Sequence, residues 1–197
     1  MSADSLPGCV IVTGMPGAGK TTITRRAAAM LPRAAQVGGD DVNAMIRSGS
    51  VGFMGRPTAE ALRQDELCNR NTCALANNFI DFGFTVLIDT VLADRAELDF
   101  FLALMSPRPV RLVVLSPGIE VCRYRNDNRA PEQRFDFDGY ERLEADMQRE
   151  FADLGWWLDT ADLTVDETAQ RLVTELGTRA PVLQPGWNAW LRQRHEG

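Results

Sequence analysis

Residues 9 to 22 read CVIVTGMPGAGKTT, and the order of residue types within them decides how the rest of the chain is read. Cys9 to Thr13 is a short apolar run rich in β-branched residues, the pattern of a buried parallel strand. From Gly14 to Thr21 the sequence fits G-x-x-x-x-G-K-[ST] without a departure, a loop whose backbone N–H groups cradle phosphate. Thr21 to Met30 then reads as a helix that stops before Pro32, because the residue preceding a proline is biased away from helix. Strand, loop and helix in this order are the context the motif requires.

Lys20 is the only lysine in the chain, and the other 20 of its 21 Lys and Arg residues are arginine. A compositional bias toward arginine replaces lysine wherever either residue will do. A position that keeps lysine therefore needs a compact ammonium on a flexible stem rather than a planar guanidinium. Lys20 is expected to bridge the β- and γ-phosphates of a nucleotide, and the Thr21 hydroxyl to sit on Mg²⁺. The expected nucleotide contacts run through Gly14, Pro16, Gly17, Ala18, Gly19, Lys20, Thr21 and Thr22, at the positive end of the helix that follows.

With 197 residues, of which 45% are hydrophobic, the chain can bury one sizeable core. A net charge of -6 argues against DNA or RNA as the main partner, since such surfaces carry a basic patch or stripe. It leaves nucleotides open. Cys9, Cys68, Cys73 and Cys122 match no zinc or redox spacing and are expected to be reduced and mostly buried. No apolar run is long enough to span a membrane, and MSADSLPG at residues 1 to 8 lacks the basic start and apolar stretch of a signal peptide. The expectation is a cytoplasmic protein. His195, the sole histidine, lies two residues from the C-terminus, so a histidine base or a His-rich metal site is not expected.

Further along, Ala34 to Val37 reads as a second strand that runs into GGDD at residues 38 to 41. RSGSVGFMGRP, residues 47 to 57, is too rich in glycine for a helix interior and reads as a loop. Thr58 to Phe82 reads as a long helix with one break allowed, capped by Thr58 and stopped by Gly83. Strands follow at Phe84 to Asp89, Val110 to Ser116 and Trp156 to Thr160, with helices over ADRAELDFFLALM, from about Gly118 to Asn126, from Asp138 to Phe151 and from Val165 to Leu176. The alternation predicts a three-layer α/β/α domain with a five-stranded parallel sheet. The expected domain covers residues 1–177, with an arginine-bearing lid at about 125–137. Residues 178–197, which carry Trp187 and Trp190, are expected to pack on that domain or on a partner subunit, leaving a homodimer open.

Several side chains carry candidate chemistry. Asp40 and Asp41 lie just past the second strand, where a parallel sheet brings an acceptor to the carboxyl ends. A carboxylate there can take a proton from an attacking hydroxyl; the competing role is capping of a helix that starts near Val42. Asp89 ends its strand where a carboxylate would hold Mg²⁺ directly or through water, and with Arg95 it is also a candidate contact for the substrate. Arg123, Arg125, Arg129 and Arg134 cluster where the pattern breaks, and a closing segment of this kind neutralises charge on a transferred phosphoryl group. With no second lysine, the Asn-Lys-x-Asp guanine reader of Ras-like GTPases cannot be built.

GMPGAGKT, GGDDVNAMI, VLIDTVLADR and CRYRNDNR in this order resemble the P-loop small-molecule kinases and phosphotransferases of the nucleotide-kinase-like group, among them chloramphenicol phosphotransferases and the kinase half of polynucleotide kinases. The resemblance covers roughly residues 8 to 176. It implies an ATP- and Mg²⁺-dependent enzyme that moves the γ-phosphoryl group to a hydroxyl of a small molecule, such as an antibiotic, a nucleoside or a similar metabolite; a nucleotide-sensing regulatory module and a nucleoside monophosphate kinase stay open as alternatives. By the polynucleotide kinases Asp40 takes the place of the catalytic aspartate; by the spacing in chloramphenicol phosphotransferases Asp41 does. Arg125 and Arg129 take the place of lid arginines, and LDTADLTVDETAQRLV that of the strand and helix flanking the adenine pocket. Phe53, Met54 and Arg56, in the region that shapes the acceptor pocket, point to a ligand of mixed apolar and polar character.

Overall fold

A computed structural model describes residues 8–52, 57–130, 134 and 136–183. Its first strand, β1 (Cys9–Thr13), is buried throughout, and its side chains alternate between two cores. Cys9 and Ile11 enter one, Val10 and Val12 the other, following the period of two that a strand imposes. A strand buried on both faces needs helices on both sides. α1 (Lys20–Met30), α5 (Ile119–Asp127) and α7 (Val165–Arg179) cover the face of Val10. α3 (Ala59–Asp81), α4 (Arg95–Met105) and the last turns of α6 (Tyr140–Phe151) cover the face of Ile11. Phe101 and Phe151, both fully buried there, each stabilise the fold by about 1.5–3 kcal/mol through apolar burial.

β2 (Ala34–Gly38), β3 (Thr85–Asp89), β4 (Val110–Ser116) and β5 (Trp156–Asp159) complete a parallel sheet in the order β2-β3-β1-β4-β5. The five expected parallel strands are all present. The register sets Gly38 beside Asp89 and Val12 beside Asp89, so the ends of three strands meet at one carboxyl edge. A sixth strand, β6 (Val182–Leu183), was not expected; it pairs antiparallel with Val110 and Arg111 of β4. The cause lies in β5, whose pairing with β4 begins only at Val113 and leaves the first residues of β4 with an open edge.

α3 runs unbroken for 23 residues. Thr58 accepts the N–H of Ala61 as its N-cap, and Gly83 takes a φ of +79° just past its end, as the sequence suggested. The allowed break is absent because Asn69, a weak helix former in mid-helix, is buried and donates to Asp65 at 3.2 Å and Glu97 at 3.5 Å. α2 (Gly39–Asn43) starts earlier than expected, with Gly38 as its N-cap and no side-chain cap. Asp40 and Asp41 are thus residues of its first turn, not its caps. All four cysteines are free and buried. No helix among the described residues is long and apolar enough to cross a membrane. Phe53, Met54, Arg56, Trp187, Trp190 and His195 lie outside the described residues.

Candidate active site

The phosphate loop turns tightly after β1, where Ala18 N–H donates to Met15 O at 3.0 Å. Gly17 is obligatory on two counts. Its φ is +86°, and a Cβ there would lie 2.5 Å from Cys122 O, so α5 crosses directly over the loop backbone. One turn further along α5, Arg125 donates from Nη1 to Ala18 O at 3.2 Å. The close approach at Gly17 is what delivers Arg125 to the loop.

Lys20 opens α1 and folds its side chain back into the loop, donating from Nζ to Gly14 O at 2.9 Å and to Met15 O at 3.2 Å. Burial lowers its pKa to about 8, against the opposing pull of Asp40, Asp89 and Cys122, while Arg129 lowers it further. The charges of Asp40, Asp89 and Arg129 therefore all reach this ammonium.

Asp89, 3% exposed at the end of β3, accepts at both oxygens. Thr21 donates to Oδ1 at 2.9 Å, and Thr24 donates to Oδ2 at 3.3 Å. Gln36 of β2 donates to Oδ2 as well. Two oxygen donors from separate elements, the Thr21 hydroxyl and the Asp89 carboxylate, thus already adjoin beside the phosphate loop. That is the donor chemistry Mg²⁺ takes, with few protein ligands and the rest from phosphate and water.

The adjacent aspartates are divided. Asp41 accepts from Arg25 Nη2 at 3.2 Å, and it folds back close enough that a Cβ on Gly38 would meet its Oδ2 at 2.7 Å. Asp40 is the member whose charge acts on Lys20. The loop after β3 is fixed nearby, since Leu92 N–H donates to Thr13 Oγ1 at 2.9 Å.

On the far side of α1 a cleft of about 250 Å³ opens at Gly19, walled by Thr22, Ile23, Arg125, Thr160, Leu163 and α7. The segments expected to flank a base therefore border the end of the phosphate loop. The remaining arginines lie differently. Arg95 is paired with Asp99 one turn along α4 at 2.9 Å. Arg123 pairs with Glu120 and Glu141 and lies 5.4 Å from the centre of the Tyr140 ring, bracing α5 against α6. Arg134 donates to Arg129 O at 2.9 Å.

Gln36, Thr24 and Arg25 were not singled out from the sequence. Thr24 follows Thr21 by three positions and so shares its face of α1. Gln36 is the one polar side chain in AAQVG, a residue with no apolar reason to be in a strand. Those signals were available; the pairing of Arg25 with Asp41 left none.

The sheet order and the loop geometry define a P-loop domain of the kinase type. A profile of the AAA domain family matches residues 9–154, and the chain belongs to that family. No curated protein matches the sequence significantly. Among solved structures, the chain is similar to a sugar kinase from Janibacter, at 20% identity and a TM-score of 0.64, over 86% of this chain and 94% of that one. It is similar to the tunicamycin resistance protein of Deinococcus radiodurans, at 15% identity and a TM-score of 0.65, over 88% and 97%. A shikimate kinase from Acinetobacter baumannii, in complex with shikimate, gives 17% identity and a TM-score of 0.61, over 88% and 94%.

Proposed function

We propose that the chain is an ATP-dependent phosphotransferase whose acceptor is a hydroxyl of a small molecule. The observation that carries this reading is the assembly around the phosphate loop: Lys20 folds back onto Gly14 and Met15, Thr21 adjoins Asp89, and Arg125 reaches Ala18 O, with Asp40 in the first turn of the helix that follows β2. A carboxylate in the first turn after β2, at the carboxyl edge where Gly38 lies beside Asp89, is placed to serve an acceptor as well as a nucleotide. Two structural neighbours are named for hydroxylated compounds, a sugar and shikimate.

In this mechanism Lys20 leaves the Gly14 and Met15 carbonyls and follows the phosphates, its flexible stem allowing what a rigid fork would not. Asp40 orients the acceptor O–H and takes its proton as the oxygen bonds to the γ-phosphorus and the bond to ADP breaks. Arg125 in the last turn of α5 and Arg129 just beyond its C-cap Asn128 gather the charge that develops on the transferred group. Thr21 and Asp89 would hold Mg²⁺, which supplies charge neutralisation on the phosphates when bound. The base occupies the cleft at Gly19 and Thr160.

The test is consumption of Mg²⁺-ATP in the presence of a whole small-molecule extract, followed by mass spectrometry for acceptors gaining one phosphoryl group. A phosphorylated product that disappears with Lys20→Ala supports the reading and names the acceptor. ATP binding without turnover above that variant's background overturns it.

A further inference from the structure

Directly after β5, Thr160 is 1% exposed, and its Oγ1 has no hydrogen-bond partner among the described residues. Leaving a buried hydroxyl unmatched lowers stability, and native folds rarely do so without a reason. The two threonines at the start of α7 are engaged. Thr168 of α7 donates to Thr164 O at 2.8 Å, and Thr164 exchanges bonds with Glu167 in a capping box. Thr160 stands on the wall of the cleft at Gly19, the residue where that cleft meets the phosphate loop.

A ligand bound by the loop through its phosphates therefore lays its other end along the wall to which Thr160 belongs. The rest of the wall is mostly apolar, from Ile23, Leu163 and Val165, with the Arg125 guanidinium as a flat cationic surface. Such walls take the faces of an aromatic ring, and they leave its polar edge to be matched by something else.

We propose that Thr160 is a specificity-determining residue that reads the edge of the nucleotide base through a hydrogen bond from its side-chain hydroxyl. This rests on the phosphotransferase reading for the identity of the occupant. The hydroxyl is held unmatched in the free protein and is satisfied when the base arrives, so its cost to the fold becomes discrimination in binding.

The experiment compares wild type, Thr160→Val and Thr160→Ser by calorimetric titration with ATP and with inorganic tripolyphosphate, alongside melting without ligand. Val keeps the shape and removes the hydroxyl. It is expected to weaken ATP binding about 5- to 30-fold, to leave tripolyphosphate binding unchanged, and to raise the melting temperature of the free protein by about 2–6 °C. Ser is expected to bind ATP as wild type does. A structural role for the hydroxyl would lower the melting temperature instead. Equal ATP affinity in wild type and Val overturns the inference and leaves the phosphotransferase reading intact. Failure of wild type to bind either ATP or tripolyphosphate overturns that reading, and this inference with it.

Discussion

The Thr21 hydroxyl donates to Oδ1 of Asp89 at 2.9 Å, joining the start of α1 to the end of β3 across 68 residues of chain. The contact exists because β3 lies next to β1, with Val12 beside Asp89, while the loop after β1 returns over the same edge. Asp89→Asn puts an amide where Thr21, Thr24 and Gln36 all donate. The expected outcome is a loss of stability of about 1–3 kcal/mol and a 10- to 100-fold rise in the Mg²⁺ concentration that half-saturates turnover. Thr21→Ala should shift the Mg²⁺ requirement in the same direction. A titration of activity against Mg²⁺ that superimposes on wild type for both variants would remove these residues from the metal site.

Asp40 and Asp41 separate by their partners, and kinetics should separate them too. Asp40→Asn is expected to lower kcat by about 10²- to 10⁴-fold with ATP affinity preserved. Asp41→Asn should leave kcat within a few-fold. It removes only an ion pair to Arg25 in which both side chains are more than half exposed, a loss of at most about 1 kcal/mol. The opposite pattern, with kcat lost in Asp41→Asn and kept in Asp40→Asn, transfers the proton-accepting role to Asp41.

The phosphate loop was legible in the sequence because its chemistry is local: eight consecutive residues, a strand before and a helix after. Asp89 was legible for a similar reason, as the acidic end of an apolar strand. What joins them was not. Gln36 reaches Asp89 through the parallel register that sets Gly38 beside Asp89, and a register between residues 51 positions apart leaves no mark on either strand. Thr160 was included in a segment read as flanking the base, but its unmatched hydroxyl depends on what the tertiary fold fails to bring near it. β6 was hidden for a further reason: two residues are too few for a period, and their pairing answers an edge left open by a different strand.

Lys20 makes the free protein sensitive to pH. Burial holds its pKa near about 8, so an increasing share of the side chain is neutral above that pH. A bound phosphate favours the charged form and moves the pKa back up. Nucleotide binding above pH 8 must then take up a proton, about 0.7 per site at pH 8.5 by linkage, and affinity must fall as pH rises. Calorimetry in two buffers of different ionisation enthalpy reads this uptake directly. Lys20→Arg, which does not titrate in this range, should abolish it. Proton release, or none in wild type, would contradict the assignment of Lys20 as the phosphate ligand.

Glu97 sets a second pH dependence, one of stability. It is the third residue of α4 and donates its backbone N–H to the Asp94 cap at 2.9 Å, while its own Oε2 accepts Ala93 N–H at 3.0 Å. Burial pushes its pKa up to about 7; Asp65 and Asp94 raise it further, and the bonds from Ala93 and Asn69 oppose the rise. Since the folded pKa lies above the unfolded one, the folded state binds the extra proton. Its contribution is complete below the unfolded carboxyl pKa and is lost as pH rises through about 7. The span corresponds to a stability loss on the order of 3 kcal/mol, and Asp65, raised in the same direction by burial, adds to it with the same sign. Glu97→Gln stays neutral at every pH and can still accept from Ala93. Urea unfolding at pH 5 and pH 8 should therefore show the variant close to wild type at the lower pH and more stable at the higher. Stability curves that run parallel across that range would mean that Glu97 is ionised in the folded protein throughout, with Asn69 and the Ala93 N–H sufficient to hold the charge.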